Sequence, residues 1–108
     1  MAELVPLAGF EADVQAVYEW REEQRNGAGD EFYAELQRGL GQLEHFPNSG
    51  TRIKGSSLRR LLVCENRFAV IHVPESRGIL LHALFDQLAD PAFNARRIRE
   101  IMQRLNKT

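Results

Sequence analysis

The first half of the chain carries apolar residues at helical spacing. Phe10, Val14 and Val17 recur every three or four positions, and acidic residues occupy the start of the run, where the helix dipole favours negative charge. This pattern predicts a first helix over about residues 9–24. Gly27, which follows Asn26, supplies the left-handed conformation in which helices commonly end.

A second apolar stripe follows directly. Asp30 stands in the position of an N-cap, and the stripe after it predicts a helix over about residues 31–46. The apolar face of this helix consists of Phe32, Leu36, Leu40, Leu43 and Phe46, with Tyr33 beside it. Because the loop between the two helices is short, we expect them to lie antiparallel as a helical hairpin.

The period changes from helical to strand-like after residue 57. Three segments rich in Leu, Val, Ile and Phe span residues 58–65, 67–73 and 79–85. Glu65 and Asn66 fit a two-residue turn between the first two segments. Neither connection is long enough for a parallel crossover, so we expect an antiparallel three-stranded meander.

The two ends of the chain complete the predicted fold. Pro6 removes a ladder donor, so residues 2–7 are interpreted as an edge strand or an extended lead-in. Asp90 and Pro91 are a strong helix start, since aspartate caps the helix and proline lacks an N–H that would stay unpaired there. The last helix then carries an apolar stripe of Ile98, Ile101, Met102 and Leu105. The predicted class is α+β: a helical hairpin packed on a small antiparallel sheet, with a C-terminal helix.

Length and composition narrow the class of protein. The 108 residues are enough for one domain, residues 1–108, with a single modest core, and 44% hydrophobic content is typical of a globular chain. The N-terminus lacks a signal-peptide pattern, and no apolar run approaches a membrane span. Cys64 is the single cysteine and is interpreted as a small core residue, which fits a cytoplasmic protein. The three histidines lack ligand spacing, so we predict neither a metal site nor a cofactor.

The near-neutral total charge conceals a division between the two halves of the chain. Residues 1–50 hold ten acids and three bases, a net charge of −7, and residues 51–108 hold five acids and eleven bases, a net charge of +6. The second half is therefore the expected face for an anionic partner.

Four segments in this order resemble the RelE/ParE superfamily of bacterial toxins, and the ParE-like branch more closely. They are residues 11–20 of the first helix, the Phe-Pro-Asn-Ser-Gly turn at 46–50, the hairpin at 58–73 and the segment 83–91. The chain departs from the family pattern at Asp86, Ala89 and His72, where His, Arg and Tyr are usual. The resemblance implies an α+β toxin of a type II toxin-antitoxin pair.

One set of residues could support chemistry. With a two-residue turn at Glu65 and Asn66, Arg59 faces His72 across the strand pair. Arg59, Arg60 and His72 are the candidates for a metal-independent ribonuclease, because arginine stabilises phosphate charge and histidine moves a proton. The RelE branch cleaves messenger RNA on the ribosome. We favour the alternative that Arg59 is a solvated strand end and His72 a hydrogen-bonded, half-buried residue.

The last helix offers a binding surface instead of a catalytic one. Its bases are Arg96, Arg97, Arg99, Arg104 and Lys107. They are either a solvated outer face or a docking surface for nucleic acid or an acidic protein. In the ParE-like branch the resemblance implies binding to DNA gyrase, and Arg96, Arg97 and Arg104 are the candidate contacts.

The helical hairpin is the candidate surface for a second partner. Toxins of this kind are neutralised by a cognate antitoxin whose tail lies against the hairpin and sheet. Tyr18, Trp20 and Tyr33 are the candidate antitoxin contacts, since such aromatic groups anchor interfaces. For Tyr18 we favour a place in the hairpin core, and Trp20 is the residue to test for exposure. The sequence thus predicts a ParE-like gyrase inhibitor. The alternatives are a RelE-like endoribonuclease and a non-toxic member that only binds its partner.

Overall fold

A five-stranded sheet forms the middle of three layers in the computed structural model, which describes residues 2–106. Lys107, predicted among the bases of the last helix, lies outside the described residues. In chain order the elements are β1 Leu4–Pro6, α1 Ala8–Gln24, α2 Ala28–His45, β2 Thr51–Arg52, β3 Arg59–Val63, β4 Phe68–Glu75, β5 Gly78–Asp86 and α3 Pro91–Asn106. The α+β class, the helical hairpin and the C-terminal helix are confirmed.

The sheet is wider than the predicted meander. Its strand order is β1-β5-β4-β3-β2, and the antiparallel meander of β3, β4 and β5 is confirmed at its centre. The predicted N-terminal edge strand is confirmed as β1, although it pairs with β5 in parallel, so the sheet is mixed and not wholly antiparallel. The second edge strand, β2, was not predicted and lies antiparallel beside β3. A two-residue strand such as β2 has no periodicity that sequence could reveal.

The hairpin face of the sheet holds the larger core. Phe10 of α1 and the stripe of α2 pack on the residues of β3, β4 and β5 that point to this side. Phe32 meets Phe68 edge to face with ring centroids 5.3 Å apart, an arrangement that the aromatic quadrupole favours. The stripe predicted for the second helix is therefore its buried face, except that Phe46 lies beyond the helix end and is exposed.

The opposite face is covered by α3 and by Ile53 and Leu58 of the segment between β2 and β3. Ile98 and Ile101 are the buried side chains of α3, and they pack with Ala69, Ile71 and Ala83 of the sheet. Since both faces are covered, β4 is buried over its first six residues instead of alternating. This continuous burial explains why the second strand segment is apolar from Phe68 to Val73 except at His72.

The start of α2 differs from the predicted one. The helix begins at Ala28 with Gly27 at the N-cap in a left-handed conformation, φ 91°, so Asp30 lies in the first turn and is not the cap. Glu22 of α1 accepts hydrogen bonds from the backbone N–H groups of Gly27 and Gly29, at 3.2 and 2.8 Å. A Cβ at Gly29 would lie 2.8 Å from the Tyr18 carbonyl oxygen, so only glycine permits this close approach of the helices.

The predicted hairpin turn and the predicted start of the last helix are both confirmed. Glu65 and Asn66 both have positive φ, 55° and 68°, as a two-residue hairpin turn with the right twist requires. At α3, the Asp90 carboxylate accepts a 2.9 Å hydrogen bond from the N–H of Ala92, and Pro91 is the first helical residue.

The edge strand β1 is protected by its proline. Ile79 N donates to Glu3 O and Leu7 N donates to Leu81 O, so the main chain of the odd-numbered residues faces β5. Because main-chain groups alternate along a strand, those of Leu4 and Pro6 point away from β5, toward the free edge of the sheet. Because Pro6 has no N–H, a further strand finds an incomplete ladder at this edge.

Candidate interaction surfaces

His72 lies in the interior of the protein. It faces Arg59 across β3 and β4, as predicted, but its side chain is fully buried, not half-buried. Its ring nitrogens lie 3.1 Å from the Val70 carbonyl oxygen and 3.2 Å from that of Ser49. Burial lowers the pKa of His72, so the imidazole is neutral near pH 7 and donates to one of the two carbonyls. This geometry gives the ring no access to a substrate.

The two arginines beside it form part of a basic sheet edge. Arg59 donates to the Gly50 carbonyl oxygen at 3.2 Å, and Arg60, next along β3, is exposed. Arg52 of β2 lies directly opposite Arg59, an unfavourable like-charge pair unless an anion lies nearby. A depression of about 200 Å³ opens here, lined by Asn48, Arg52, Ser57, Arg59, Val73 and Pro74. Sequence reasoning missed Arg52 and Lys54, although the absence of acids from residues 51–64 was a signal.

Arg97 joins the two sides of the sheet. Its guanidinium makes two hydrogen bonds to the Asp13 carboxylate of α1, at 3.0 and 2.9 Å, and stacks over Phe85 at 5.1 Å. Asp13 also accepts the N–H of Leu84, at 2.9 Å, on the part of β5 that β1 does not reach. We name this arrangement the Asp13–Arg97 bridge. It engages a residue predicted to contact the target.

The other bases of α3 remain on the surface. Arg96, Arg99 and Arg104 are exposed along the helix. Arg104 lies close enough to His82 to lower the pKa of that histidine, after the larger effect of burial. Of the three predicted target contacts, Arg96 and Arg104 are therefore the ones that the fold leaves available.

The outer groove of the hairpin contains two of the three predicted antitoxin contacts. Tyr33, half exposed, lies between two depressions of about 380 and 290 Å³, which we call the hairpin trough. Val14, Gln15 and Tyr33 line both depressions, and Tyr18 lines the smaller one. The Tyr18 hydroxyl donates to Asp30 at 2.7 Å, and this hydrogen bond raises the pKa of Tyr18.

Trp20 belongs to a different surface. It is 51% exposed and lines a depression of about 290 Å³ with Arg67, Phe68 and Asp86. Arg67 makes two hydrogen bonds to the Asp86 carboxylate, at 2.9 and 3.1 Å, and this contact holds the pKa of Asp86 below its usual value. Asp86, where the toxin family usually has histidine, is thus an ion-pair partner at the end of β5.

The remaining candidate groups are placed as follows. Burial and the nearby Glu35 raise the pKa of the Cys64 thiol to about 11, so the residue is a protonated, half-buried thiol at pH 7. His82 lies at an irregularity in the pairing of β4 and β5, and its Nε2 is buried without a hydrogen-bond partner among residues 2–106. His45 lies within 3.0 Å of the Gly41 carbonyl oxygen at the end of α2.

Residues 2–106 contain no group of three or more His, Cys, Asp or Glu side chains placed to hold a metal ion. Within the same residues, no helix combines the length and the apolar character that crossing a membrane requires.

Comparison with known proteins rests on the fold. The chain superposes on a chain of a solved structure described as the chromosomal ParDE TA system from P. aeruginosa, with a TM-score of 0.70 over 80% of this chain and 96% of that one. The two chains share one fold. Their sequences are 15% identical. No protein-family model matches the chain. None of the curated protein sequences matches it. The fold implied by the RelE/ParE resemblance is confirmed by this ParDE chain.

Proposed function

We propose that the chain is the toxin of a type II toxin-antitoxin pair, that it acts by binding a topoisomerase of the gyrase class, and that a cognate antitoxin neutralises it. The observation that carries the proposal is the fold shared with a chain of the ParDE TA system over nearly all of that chain. The four sequence segments that resemble the same superfamily support it independently.

A binding mechanism suits the residues better than a catalytic one. The one histidine beside an arginine pair, His72, is buried against main-chain carbonyls. A general acid or base must reach the proton that it transfers, within about 3 Å or through one water. A toxin that stalls its target needs a complementary surface and no such group.

The target surface is assigned to the exposed bases of α3. Arg96 and Arg104 project from a helix whose other side packs on the sheet, so their charges are available to an anionic partner. Gyrase acts on DNA, whose phosphate groups are anionic. Arg97 does not contact the target in this proposal. It holds α3 against α1 through the Asp13–Arg97 bridge.

The test is expression of the chain without its antitoxin in a bacterial host. We expect growth arrest with filamentation and a DNA damage response, and inhibition of gyrase supercoiling by the purified protein. Arg96→Glu combined with Arg104→Glu abolishes both effects while the thermal unfolding midpoint stays within about 2 °C. Intact supercoiling together with cleaved, ribosome-bound messenger RNA contradicts the gyrase proposal. A folded chain that causes no arrest supports the partner-binding alternative.

A second candidate function rests on the basic sheet edge. Arg52 and Arg59 face one another around a small polar depression, and Arg60 and Lys54 extend the same charge. Such a site fits a phosphate group of RNA, as a RelE-like ribosome-dependent endoribonuclease requires. Arg59→Ala with Arg60→Ala would then abolish messenger cleavage in a purified translation system. His72→Gln separates binding from chemistry, because a general acid or base contributes roughly a hundredfold or more.

The antitoxin is assigned to the hairpin. Tyr18 and Tyr33 lie together in the hairpin trough, and Trp20 is exposed at the end of β5. The neighbouring open reading frame is the first place to look for this partner. Its product should form a stable complex with the chain and restore growth. We expect both proteins in the cytoplasm, in line with the single cysteine.

A further inference from the structure

The hairpin trough is an apolar groove that the chain's own side chains do not fill. Its floor and walls come from residues such as Phe10, Leu36, Leu40 and Leu81, whose outer atoms border the larger depression of about 380 Å³. Tyr33, 47% exposed, separates this depression from the smaller one of about 290 Å³. Two adjoining depressions form a groove of the kind that receives the anchor side chains of a bound helix.

The charge around the trough has one sign. Glu11 lines the larger depression, and no arginine or lysine among residues 2–106 lines either one. Gln15, on the α1 wall, donates to Glu19 at 2.8 Å, which places another carboxylate at the rim. Glu44 continues the row of Leu36 and Leu40, four residues further along α2.

The three arginines of the hairpin do not line the trough. Arg21 stacks on Phe32 and Phe68, at 6.0 and 5.6 Å from the ring centroids. Arg25 forms an ion pair with Glu31. Arg38 acts on the pKa of Cys64, together with Arg21, and so lies toward β3. Among residues 2–106 no ion pair joins an arginine or lysine to Glu11, Glu19 or Glu44, so these carboxylates attract a cationic partner.

The form of the occupant follows from the edge beside it. Leu4 and Pro6 border the larger depression, and Pro6 presents no N–H to an added strand. Backbone pairing, which an extended peptide would need, is incomplete there. Residues 11–18 of α1 span about 10 Å, which suits about two turns of a helix laid in the groove.

We propose that the hairpin trough binds a cationic amphipathic helix of the antitoxin. Apolar side chains at i and i+4 enter the two depressions on either side of Tyr33, and lysines or arginines face Glu11 and Glu44. The inference rests on the proposed function in taking the antitoxin as the source of the helix. It goes further in fixing the sign of the charge and the secondary structure of the docking segment.

The test uses the full chain and two labelled synthetic helices of about 16 residues. Both peptides carry the same Leu and Phe stripe, and the remaining positions are lysine in one and glutamate in the other. Fluorescence anisotropy should give about tenfold or more tighter binding of the lysine peptide at about 50 mM salt. This advantage should shrink several-fold at about 500 mM salt, because exposed charges are screened.

Charge variants locate the binding. Glu11→Lys with Glu44→Lys should remove the preference for the lysine peptide. Tyr33→Ala should weaken the binding of the lysine peptide about tenfold. Glu100→Lys is the charge-matched control for Glu11→Lys alone, since Glu100 is an exposed acid on α3, on the other side of the sheet. An equal loss in the control, or equal binding of the two peptides, overturns the inference.

The antitoxin itself separates this inference from the proposed function. If the antitoxin neutralises the chain but binds the Tyr33→Ala and Glu11→Lys/Glu44→Lys variants as tightly as the native chain, the trough assignment is wrong and the toxin proposal stands. If the chain arrests no growth and has no antitoxin, yet prefers the lysine peptide through the same residues, the toxin proposal is wrong and the cationic specificity of the trough stands.

Discussion

The two faces of the sheet are covered by different amounts of structure. On the hairpin face, two helices bury a continuous core that includes Phe32 and Phe68 and leave a trough on their outer side. On the other face, α3 covers the sheet with Ile98 and Ile101 as its buried side chains. The Asp13–Arg97 bridge adds a polar connection from α3 to α1. The first face is held by apolar burial, whereas the second also needs an ion pair.

Charged residues in both halves of the chain either form contacts within the fold or remain exposed. Acids of the first half act as outward groups around the trough or as partners within the fold, as Glu22 and Asp13 do. Among the bases of the second half, Arg67 and Arg97 are committed to ion pairs, and Arg96 and Arg104 are exposed. The acidic half and the basic half of the chain thus each contain both structural residues and residues available for binding. The position of a charge in the sequence does not tell the two kinds apart.

The largest expected effect is on the hairpin face. Phe68→Ala leaves a cavity under Phe32 and removes the ring on which Arg21 and Arg67 stack. We expect a loss of about 3–5 kcal/mol in the free energy of unfolding, measured by urea denaturation. Ile98→Ala on the other face, where the side chain is less completely covered, should cost about 2–3 kcal/mol. Equal losses would contradict the difference between the faces.

The Asp13–Arg97 bridge should give the next largest effect. Asp13→Ala leaves the Leu84 N–H and the Arg97 guanidinium without their carboxylate, so we expect a loss of about 2–3 kcal/mol. Arg97→Ala should cost about 2 kcal/mol. Arg96→Ala, one residue away and exposed, is the control and should stay within about 0.5 kcal/mol. A double-mutant cycle that finds no coupling between Asp13 and Arg97 would sink this assignment.

Acid should weaken the fold through two histidines. Burial lowers the pKa of His72 and of His82, so both stay neutral in the folded state while the unfolded chain binds protons below about pH 6.5. The free energy of unfolding should therefore fall as the pH drops below about 6.5, by up to about 1.4 kcal/mol per pH unit for each histidine. Denaturation at several pH values measures this slope. The slope should decrease in His82→Asn. An unchanged slope would show that His82 does not contribute to the loss of stability in acid.

The smallest effect on stability concerns the two aromatic surfaces. Tyr33→Ala and Trp20→Ala each remove a half-exposed side chain, and each should cost about 1 kcal/mol or less. Their effects on antitoxin binding should differ, because Tyr33 lies in the hairpin trough and Trp20 at the end of β5. Titration calorimetry with the antitoxin would show a larger loss for Tyr33→Ala, and the reverse order would move the interface to the Trp20 surface.

Local chemistry made much of the fold predictable. The helical periods of α1 and α2, the turn at Glu65 and Asn66 and the start of α3 at Asp90 depend on residues within a few positions of each other. Once the turn is known, the two-residue period of strands places Arg59 opposite His72. The sequence by itself therefore determined the order of the elements apart from β2, and the register of the central hairpin.

The tertiary structure decided which of the candidate residues are accessible. Arg97 is either an exposed base or a partly buried ion-pair partner, depending on where Asp13 lies, and the two residues are 84 positions apart. The parallel pairing of β1, the burial of His72 under the turn at Ser49 and the separation of Trp20 from Tyr18 and Tyr33 likewise depend on how distant elements pack. Periodicity reports which face of an element is apolar, whereas accessibility depends on what the rest of the chain places against that face.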